Sequence, residues 1–179
     1  MQGLLEKLAT LLNAATRVAV VGYYPILSDQ SDPADMELRG LLELHGVATG
    51  SVFAGDEFSL SNIFPAIVAN CIMFWQESNQ ALQAASDAAN KTAQRDFAVF
   101  VKLPFSEQNA LWAEHPLLWE LNDFLSAEDE VSAPRGKACQ LLYGDLVHLP
   151  KLLQCQRAST GHPNIEGAAT IAATLLAAL

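Results

Sequence analysis

Apolar and polar positions follow one another along this chain in a way that predicts helices separated by strands. In several segments apolar residues recur every three or four positions, the period of one helix face. These segments predict helices from Gln2 to about Asn13, from Pro33 to about His45 and from about Pro65 to Asn90. Continuous apolar runs predict strands from Arg17 to Gly22 and from Asp96 to Leu103. The remaining polar stretches predict a loop from Gly50 to Asn62, and short helices and loops from Ser106 to Leu153.

The two predicted strands are apolar on both faces, as the runs Val18–Val21 and Phe97–Val101 show. Such strands belong to the interior of a sheet that helices cover. A strand, a long helix and a second strand form a crossover unit, which gives parallel pairing. The pattern therefore predicts an α/β protein with few strands and mostly helix. Two parallel strands alone would leave apolar edges open, so we expect a homo-oligomer, a tightly packed rearrangement of the chain or a missing N-terminal half to cover them.

The long central helix is predicted to pack through one face. The residues of this predicted inner face, at helical spacing, are Ile67, Cys71, Phe74, Trp75, Ser78, Leu82, Ala85 and Ala89. Trp112 and Trp119 are predicted to be core residues of the later loop region. The acidic run of Asp123, Glu128, Asp129 and Glu130 is predicted to be a solvated surface.

The C-terminal segment predicts an alanine-rich amphipathic helix that begins directly behind a rigid turn. Asn164 is the predicted N-cap, and Pro163 is tolerated there because a helix start does not need its amide hydrogen. The predicted inner face is Ile165, Ala168, Ala172, Leu175, Leu176 and Leu179. His162 thus lies in a turn directly before a helix N-terminus, and catalytic general bases are often found in such a position. The alternative is a histidine that only occupies a loop.

Composition restricts the classes of function. The 179 residues suggest one domain, 1–179, and 51% apolar with 17% charged residues exclude a disordered chain. A net charge of −10 without a basic patch excludes nucleic acid as a partner. No membrane span is expected, and Glu6 and Lys7 interrupt the first apolar stripe, which is therefore no signal peptide. His45, His115 and His148 are isolated, so no metal and no cofactor is expected.

The segment His162-Pro163-Asn164 with Gly167-Ala168 resembles the last conserved block of the SGNH (GDSL-type) esterases and lipases, which carries the catalytic histidine. Other segments fit in order and approximate spacing: Val20–Ile26, Phe74–Asn79, Asp129–Val131, Arg135, Cys139, Cys155 and Ala158–Ser159. The chain resembles the C-terminal half of such an enzyme. The resemblance implies an incomplete three-layer, parallel-sheet, flavodoxin-like fold and a serine hydrolase that acts on an ester substrate, with His162 as its base.

Several blocks of that family have no counterpart in this sequence. The nucleophile block Gly-Asp-Ser is missing, as are the glycine and Gly-x-Asn-Asp blocks that supply oxyanion-hole donors. Gly55–Ser59 is only superficially similar to the nucleophile block, because its serine is displaced and it follows the first strand. Ser159 stands where the family's acid normally lies, although some members orient the histidine with a backbone carbonyl. Ser59, Ser78 and Ser159 are the serines to consider as substitutes for the nucleophile.

We therefore expect a hydrolase-like chain that is inactive alone and would need the missing N-terminal half. The alternative is a non-catalytic pseudohydrolase or interaction module that folds by oligomerisation. For Cys139 and Cys155 the resemblance implies a disulfide, with Cα atoms within about 7 Å; reduced thiols in a cytosolic protein are the other possibility. Cys71 is predicted to be an inert apolar residue. Cellular location stays open.

Overall fold

The computed structural model describes residues 1–32, 37, 39–40, 60–121, 129–144 and 148–179. Within these residues the helices are α1 (Gln2–Leu11), α2 (Leu60–Ala93), α3 (Ser132–Tyr143), α4 (Leu149–Gln156) and α5 (Ile165–Ala178). The strands are β1 (Val18–Val21) and β2 (Ala98–Val101), and a short 3₁₀ helix spans Glu107–Asn109. The predicted helix that starts at Pro33 and the predicted loop that starts at Gly50 fall almost wholly outside the described residues.

Strands β1 and β2 form a parallel pair whose register runs from Val18 opposite Ala98 to Val21 opposite Val101. Helix α2 connects them, as the crossover pattern predicts. Within the described part of the chain the sheet has these two strands, and helix predominates. The prediction of a mixed α/β class with few strands is therefore confirmed.

One face of the two-stranded sheet packs against helices α1 and α2. Alternate residues Val18 and Val20 of β1 share this face with Ala98 and Phe100 of β2, because successive strand side chains point to opposite faces. They join an apolar cluster whose buried members are Leu5, Val20, Leu82, Ala85, Ala89, Phe97 and Ala98. On the other face Val21 keeps 38% of its surface exposed. Helix α5 contacts both strands.

A second apolar cluster lies beyond the carboxyl ends of the strands. It joins the first turns of α2 to the segments that follow β1 and β2, and its buried members are Leu27, Val68, Leu103, Phe105, Leu111, Trp112, Leu117 and Leu118. Trp112 is thus a core residue, as predicted. This cluster supports the loops on which the candidate site is built.

The predicted inner face of α2 is partly wrong. Leu82, Ala85 and Ala89 are buried, but Phe74 is 55% exposed. The Phe74 ring meets the ring of Tyr23 edge-on at 5.2 Å, at the rim of the sheet rather than inside it. The neighbouring Trp75 donates its indole hydrogen to the Tyr23 carbonyl at 2.9 Å. Both aromatic residues therefore anchor the segment behind β1 instead of filling the core.

The predicted inner face of α5 is wrong except at Leu175, which is half-buried. The buried and half-buried residues are Gly167, Thr170, Ile171, Thr174, Leu175 and Ala178. Of the predicted face, Ile165, Leu176 and Leu179 are 55%, 81% and 63% exposed. The reason is Gly167, where an added Cβ would collide with the carbonyl oxygen of Leu117. This backbone contact turns the glycine side of the helix inward. None of the helices in the described part of the chain is long and apolar enough to cross a bilayer.

Two phenylalanines allow a matched test of where the core lies. Phe97 is 0% exposed and Phe74 is 55% exposed. We expect Phe97→Ala to lower the free energy of unfolding by about 3–5 kcal/mol through a cavity in the first cluster. Phe74→Ala should cost less than about 1 kcal/mol. Urea unfolding followed by circular dichroism measures both, and equal losses would contradict this assignment of the core.

Candidate functional site

The turn that carries His162 is fixed by main-chain hydrogen bonds to the segment around Trp119. The amide of Trp119 donates to the His162 carbonyl at 2.8 Å, and the amide of Gly161 donates to the Trp119 carbonyl at 2.9 Å. Leu118 and Pro163 form an antiparallel bridge in the same place. Gly161 has a φ of +79°, a left-handed conformation that glycine adopts without strain. The backbone of His162 is thus held on both sides while its side chain is exposed.

Asn164 fixes the start of the helix behind the histidine. Its side-chain oxygen accepts a hydrogen bond from the Gly167 amide at 2.9 Å, which confirms the predicted N-cap. Its side-chain amide donates to the Pro116 carbonyl at 3.0 Å, and its main-chain amide donates to the Leu117 carbonyl at 2.9 Å. One residue therefore caps α5 and attaches it to the loop that follows β2.

Tyr24 connects the histidine turn to the carboxyl end of the sheet. It lies three residues beyond the end of β1, and its hydroxyl donates to the Gly161 carbonyl at 3.3 Å. Its ring stacks on Phe105, beyond β2, with centroids 5.2 Å apart. Burial raises the pKa of Tyr24, so the phenol keeps its proton at neutral pH and remains a donor. In open α/β sheets, ligands bind beyond the carboxyl ends of the strands, which is where His162 lies.

A cavity of about 280 Å³ opens beside the histidine. Its lining comprises Trp119, Asp129, Val131, Arg135, Ala158, Ser159 and His162. Trp119 was predicted to be a core residue; the structure leaves it half-buried, as a wall of this cavity. The cavity therefore joins the histidine turn to the start of α3.

An ion pair between Asp129 and Arg135 forms the polar part of this cavity. A guanidinium nitrogen of Arg135 lies 2.7 Å from a carboxylate oxygen of Asp129. The Asp129 side chain is 5% exposed and the Arg135 side chain is 16% exposed. The other carboxylate oxygen of Asp129 accepts the Val131 amide at 3.1 Å, and Arg135 Nε donates to the Gln156 carbonyl at 3.0 Å. The prediction of a solvated surface is thus wrong for Asp129. Glu130 is exposed, and Asp123 and Glu128 lie outside the described residues.

Sequence reasoning did not select the Asp129–Arg135 pair as part of the site. Both residues belong to the segments that resemble the SGNH enzymes, and that resemblance was the available signal. Arg135 sits on α3, where its Nε can reach the Gln156 carbonyl at the end of α4. In the sequence, Asp129 is one of several acidic residues, and nothing indicates that it pairs with an arginine. The pairing is visible only once the positions of α3 and α4 are known.

Ser159 lies beside the histidine, but its hydroxyl makes no hydrogen bond to the imidazole and so does not take the place of the family's acid. Its carbonyl accepts the His162 amide at 2.9 Å. Its hydroxyl oxygen is buried in the cavity wall and has no hydrogen-bond partner among the described residues. A buried hydroxyl without a partner costs free energy, so this atom is a natural point for a ligand or water to bind.

The other predicted serines do not join this group. Ser78 is on α2 and lines a different cavity, with Tyr23 and Leu82. Ser59 and the rest of the segment from Gly55 lie outside the described residues, as does His45. Within the ranges that the structure describes, no three metal-ligating side chains come together.

A disulfide joins Cys139 of α3 to Cys155 of α4, with Cα atoms 5.7 Å apart. The predicted distance limit is confirmed. The cross-link ties together the helix that carries Arg135 and the helix whose Gln156 carbonyl accepts from it. Cys71 is a free thiol whose pKa is raised by burial, so it stays protonated at neutral pH.

Comparison with protein-family models, with curated proteins and with solved structures gives no match for this chain. The resemblance to the SGNH hydrolases stays a prediction from the sequence.

The N-cap of α5 can be tested by two substitutions of Asn164. Asn164→Ala removes the acceptor for the Gly167 amide and the donor to Pro116. We expect a loss of about 1–2 kcal/mol in the free energy of unfolding. Asn164→Asp keeps the acceptor and should cost less than the alanine variant. Thermal and urea unfolding measure this order, and a reversed order would contradict the capping role.

The disulfide should stabilise the fold, because it closes a loop between positions separated by 16 residues. We expect the double variant Cys139→Ser/Cys155→Ser to lose about 3 kcal/mol of unfolding free energy. Dithiothreitol should lower the stability of the wild type by a similar amount and leave that of the double variant unchanged. An equal effect of the reductant on both proteins would show that the bond does not form.

Proposed function

We propose that this chain is an SGNH-hydrolase-like module that supplies the histidine of a serine-esterase site and lacks the nucleophile. It corresponds to the C-terminal half of the three-layer, flavodoxin-like SGNH fold. The observation that carries the proposal is the position of His162. A clamped turn presents it beyond the carboxyl ends of β1 and β2, at the start of the last helix.

The geometry suits a general base. The main chain on both sides of His162 is held by Trp119, Gly161 and Asn164, while the imidazole is exposed and able to take a proton from a hydroxyl brought within about 3 Å. In a serine hydrolase this proton comes from the attacking serine, whose oxygen bonds to the ester carbonyl as the proton moves to the imidazole.

The remaining parts of such a site are lacking. The sequence contains neither Gly-Asp-Ser nor Gly-x-Asn-Asp, so it provides neither the family's nucleophile nor its oxyanion-hole donors. Asp129 shares the cavity with His162, but the hydrogen bonds that its carboxylate makes to described residues go to Arg135 and to the Val131 amide and not to the imidazole. A histidine without nucleophile and without oxyanion donors contributes little to ester hydrolysis. The chain alone is therefore inactive.

A second candidate function is a non-catalytic module that associates with another chain. The observation that favours it is the exposed apolar surface. Leu176 and Leu179 of the last helix region are 81% and 63% exposed, and Val21 at the end of β1 is 38% exposed. Leu176 and Leu179 are three residues apart and lie on one side of the helix, and contiguous exposed apolar side chains often mark an interaction surface.

The test of the proposal is hydrolysis of p-nitrophenyl acetate by the purified chain and by a His162→Ala variant. We expect both rates to equal the background. A wild-type rate more than about tenfold above that of the variant would contradict inactivity, and Ser159→Ala and Ser78→Ala would then locate the nucleophile.

Co-expression separates the two candidate functions. The partner is a polypeptide that carries the Gly-Asp-Ser and Gly-x-Asn-Asp blocks, such as one encoded directly upstream of this chain. Esterase activity that appears in the co-purified complex and disappears with His162→Ala supports the hydrolase module. A stable complex without activity supports the non-catalytic one.

A further inference from the structure

Helix α5 is apolar on almost every side, yet about half of its surface faces solvent. Its inward residues are Gly167, Thr170, Ile171, Thr174, Leu175 and Ala178. Its outward apolar residues are Ile165, Ala168, Ala169, Ala172, Ala173, Leu176 and Ala177, followed by Leu179. Glu166 is the one charged residue of the helix. A helix with this many apolar residues is more often buried on both sides, so its exposed side is a candidate contact surface.

On the outward face, the spacing of five apolar residues is the same whether it is counted from the first or from the last of them. Ile165, Ala168, Ala172, Leu176 and Leu179 are separated by three, four, four and three residues. If a second α5 lies antiparallel across a twofold axis at Ala172, Ile165 meets Leu179 of the partner subunit and Ala168 meets the partner's Leu176. The small Ala168 then faces a large side chain, Leu176 of the partner subunit, and Ile165 packs against a second large apolar side chain, Leu179 of the partner subunit. The small residues near the axis let the two helix backbones approach closely.

Charge at the two ends of the helix fits the same arrangement. Glu166 lies in the first turn of α5, and Arg17 donates to the Leu179 carbonyl at the other end, at 3.2 Å. Both side chains are exposed, and neither forms an ion pair with another described residue. Since the 14-residue helix is about 21 Å long, they cannot reach each other within one chain. In an antiparallel pair, the end of α5 that carries Glu166 lies next to the end at which the partner's Arg17 is bound, so opposite charges come near each other at both ends of the interface.

We propose that this chain forms a homodimer through an antiparallel pair of α5 helices, centred on Ala172. The interface is isologous, with an alanine centre, Ile165, Leu176 and Leu179 as its larger contacts, and Glu166–Arg17 pairs at its two ends. One helix from each chain makes a small interface, so the dimer dissociates in the micromolar range, at about 1–100 μM. The inference does not depend on the proposed esterase kinship, because association is measured without any hydrolysis.

Sedimentation equilibrium of the full chain between about 1 and 300 μM tests the surface. The decisive variant is Leu176→Glu, which buries a charge at both copies of the site and should raise the dimer dissociation constant at least about 100-fold. Leu141→Glu is the matched control, because Leu141 is 80% exposed on α3 and Leu176 is 81% exposed on α5. The control should leave the constant unchanged. A monomer throughout this range, or equal effects of both variants, would overturn the proposal.

Reversal of the two end charges tests the orientation of the helices. Arg17→Glu and Glu166→Arg each place like charges together and should each weaken the dimer about three- to tenfold at low salt, whereas the double variant should recover most of the loss. If the double variant raises the dimer dissociation constant by as much as the two single variants together, the antiparallel pairing is overturned.

Cysteine cross-linking provides a second orientation test, in a Cys71→Ala background. Ile165→Cys alone should not cross-link, because position 165 lies opposite position 179 of the partner subunit. Ile165→Cys with Leu179→Cys in one chain should form a covalent dimer under mild oxidation, and the two positions are too far apart to join within one chain. Cross-linking of the single Ile165→Cys variant would indicate parallel helices and overturn the proposal.

Discussion

The short main-chain pairing between residues 117–119 and 161–164 is the constraint on which the rest of the site depends. It joins the loop that follows β2 to the turn that precedes α5, through the hydrogen bonds of Trp119 with His162 and Gly161 and of Asn164 with Leu117. The close contact of Gly167 with the Leu117 carbonyl extends the pairing into the helix. The position of His162, the orientation of α5 and the wall of the cavity all follow from this one junction.

Local pattern was sufficient to predict the elements whose formation is local. The two apolar runs form β1 and β2, and Asn164 is the N-cap of α5. These features follow from side-chain periodicity and from capping chemistry, which act over a few residues. The proximity of Cys139 to Cys155 came instead from the family resemblance, since spacing alone does not determine a disulfide.

The errors concern features that depend on a distant neighbour. The inward face of α5 follows from the absence of a side chain at Gly167, where the Leu117 carbonyl approaches, and hydrophobic periodicity does not register this contact. Asp129 belongs to an acidic run, yet it is buried because it pairs with Arg135, which the Gln156 carbonyl at the end of α4 holds in place. Phe74 looks like a core residue on a helical wheel and instead packs on Tyr23 at the rim. In each case tertiary contact overrides pattern.

The hydrogen bond from Tyr24 to Gly161 has a thermodynamic consequence for any assembly at the sheet. Tyr24 follows β1 by three residues, and the intervening Tyr23 is attached to α2 through Asn79, whose side-chain oxygen accepts the Tyr23 amide at 2.7 Å. Among the described residues β1 pairs with β2 alone, and a strand that added to its other edge would restrict the segment of Tyr23 and Tyr24 and, through Tyr24, the turn of His162. Part of the conformational entropy of fixing the histidine turn would then be lost when that strand pairs with β1.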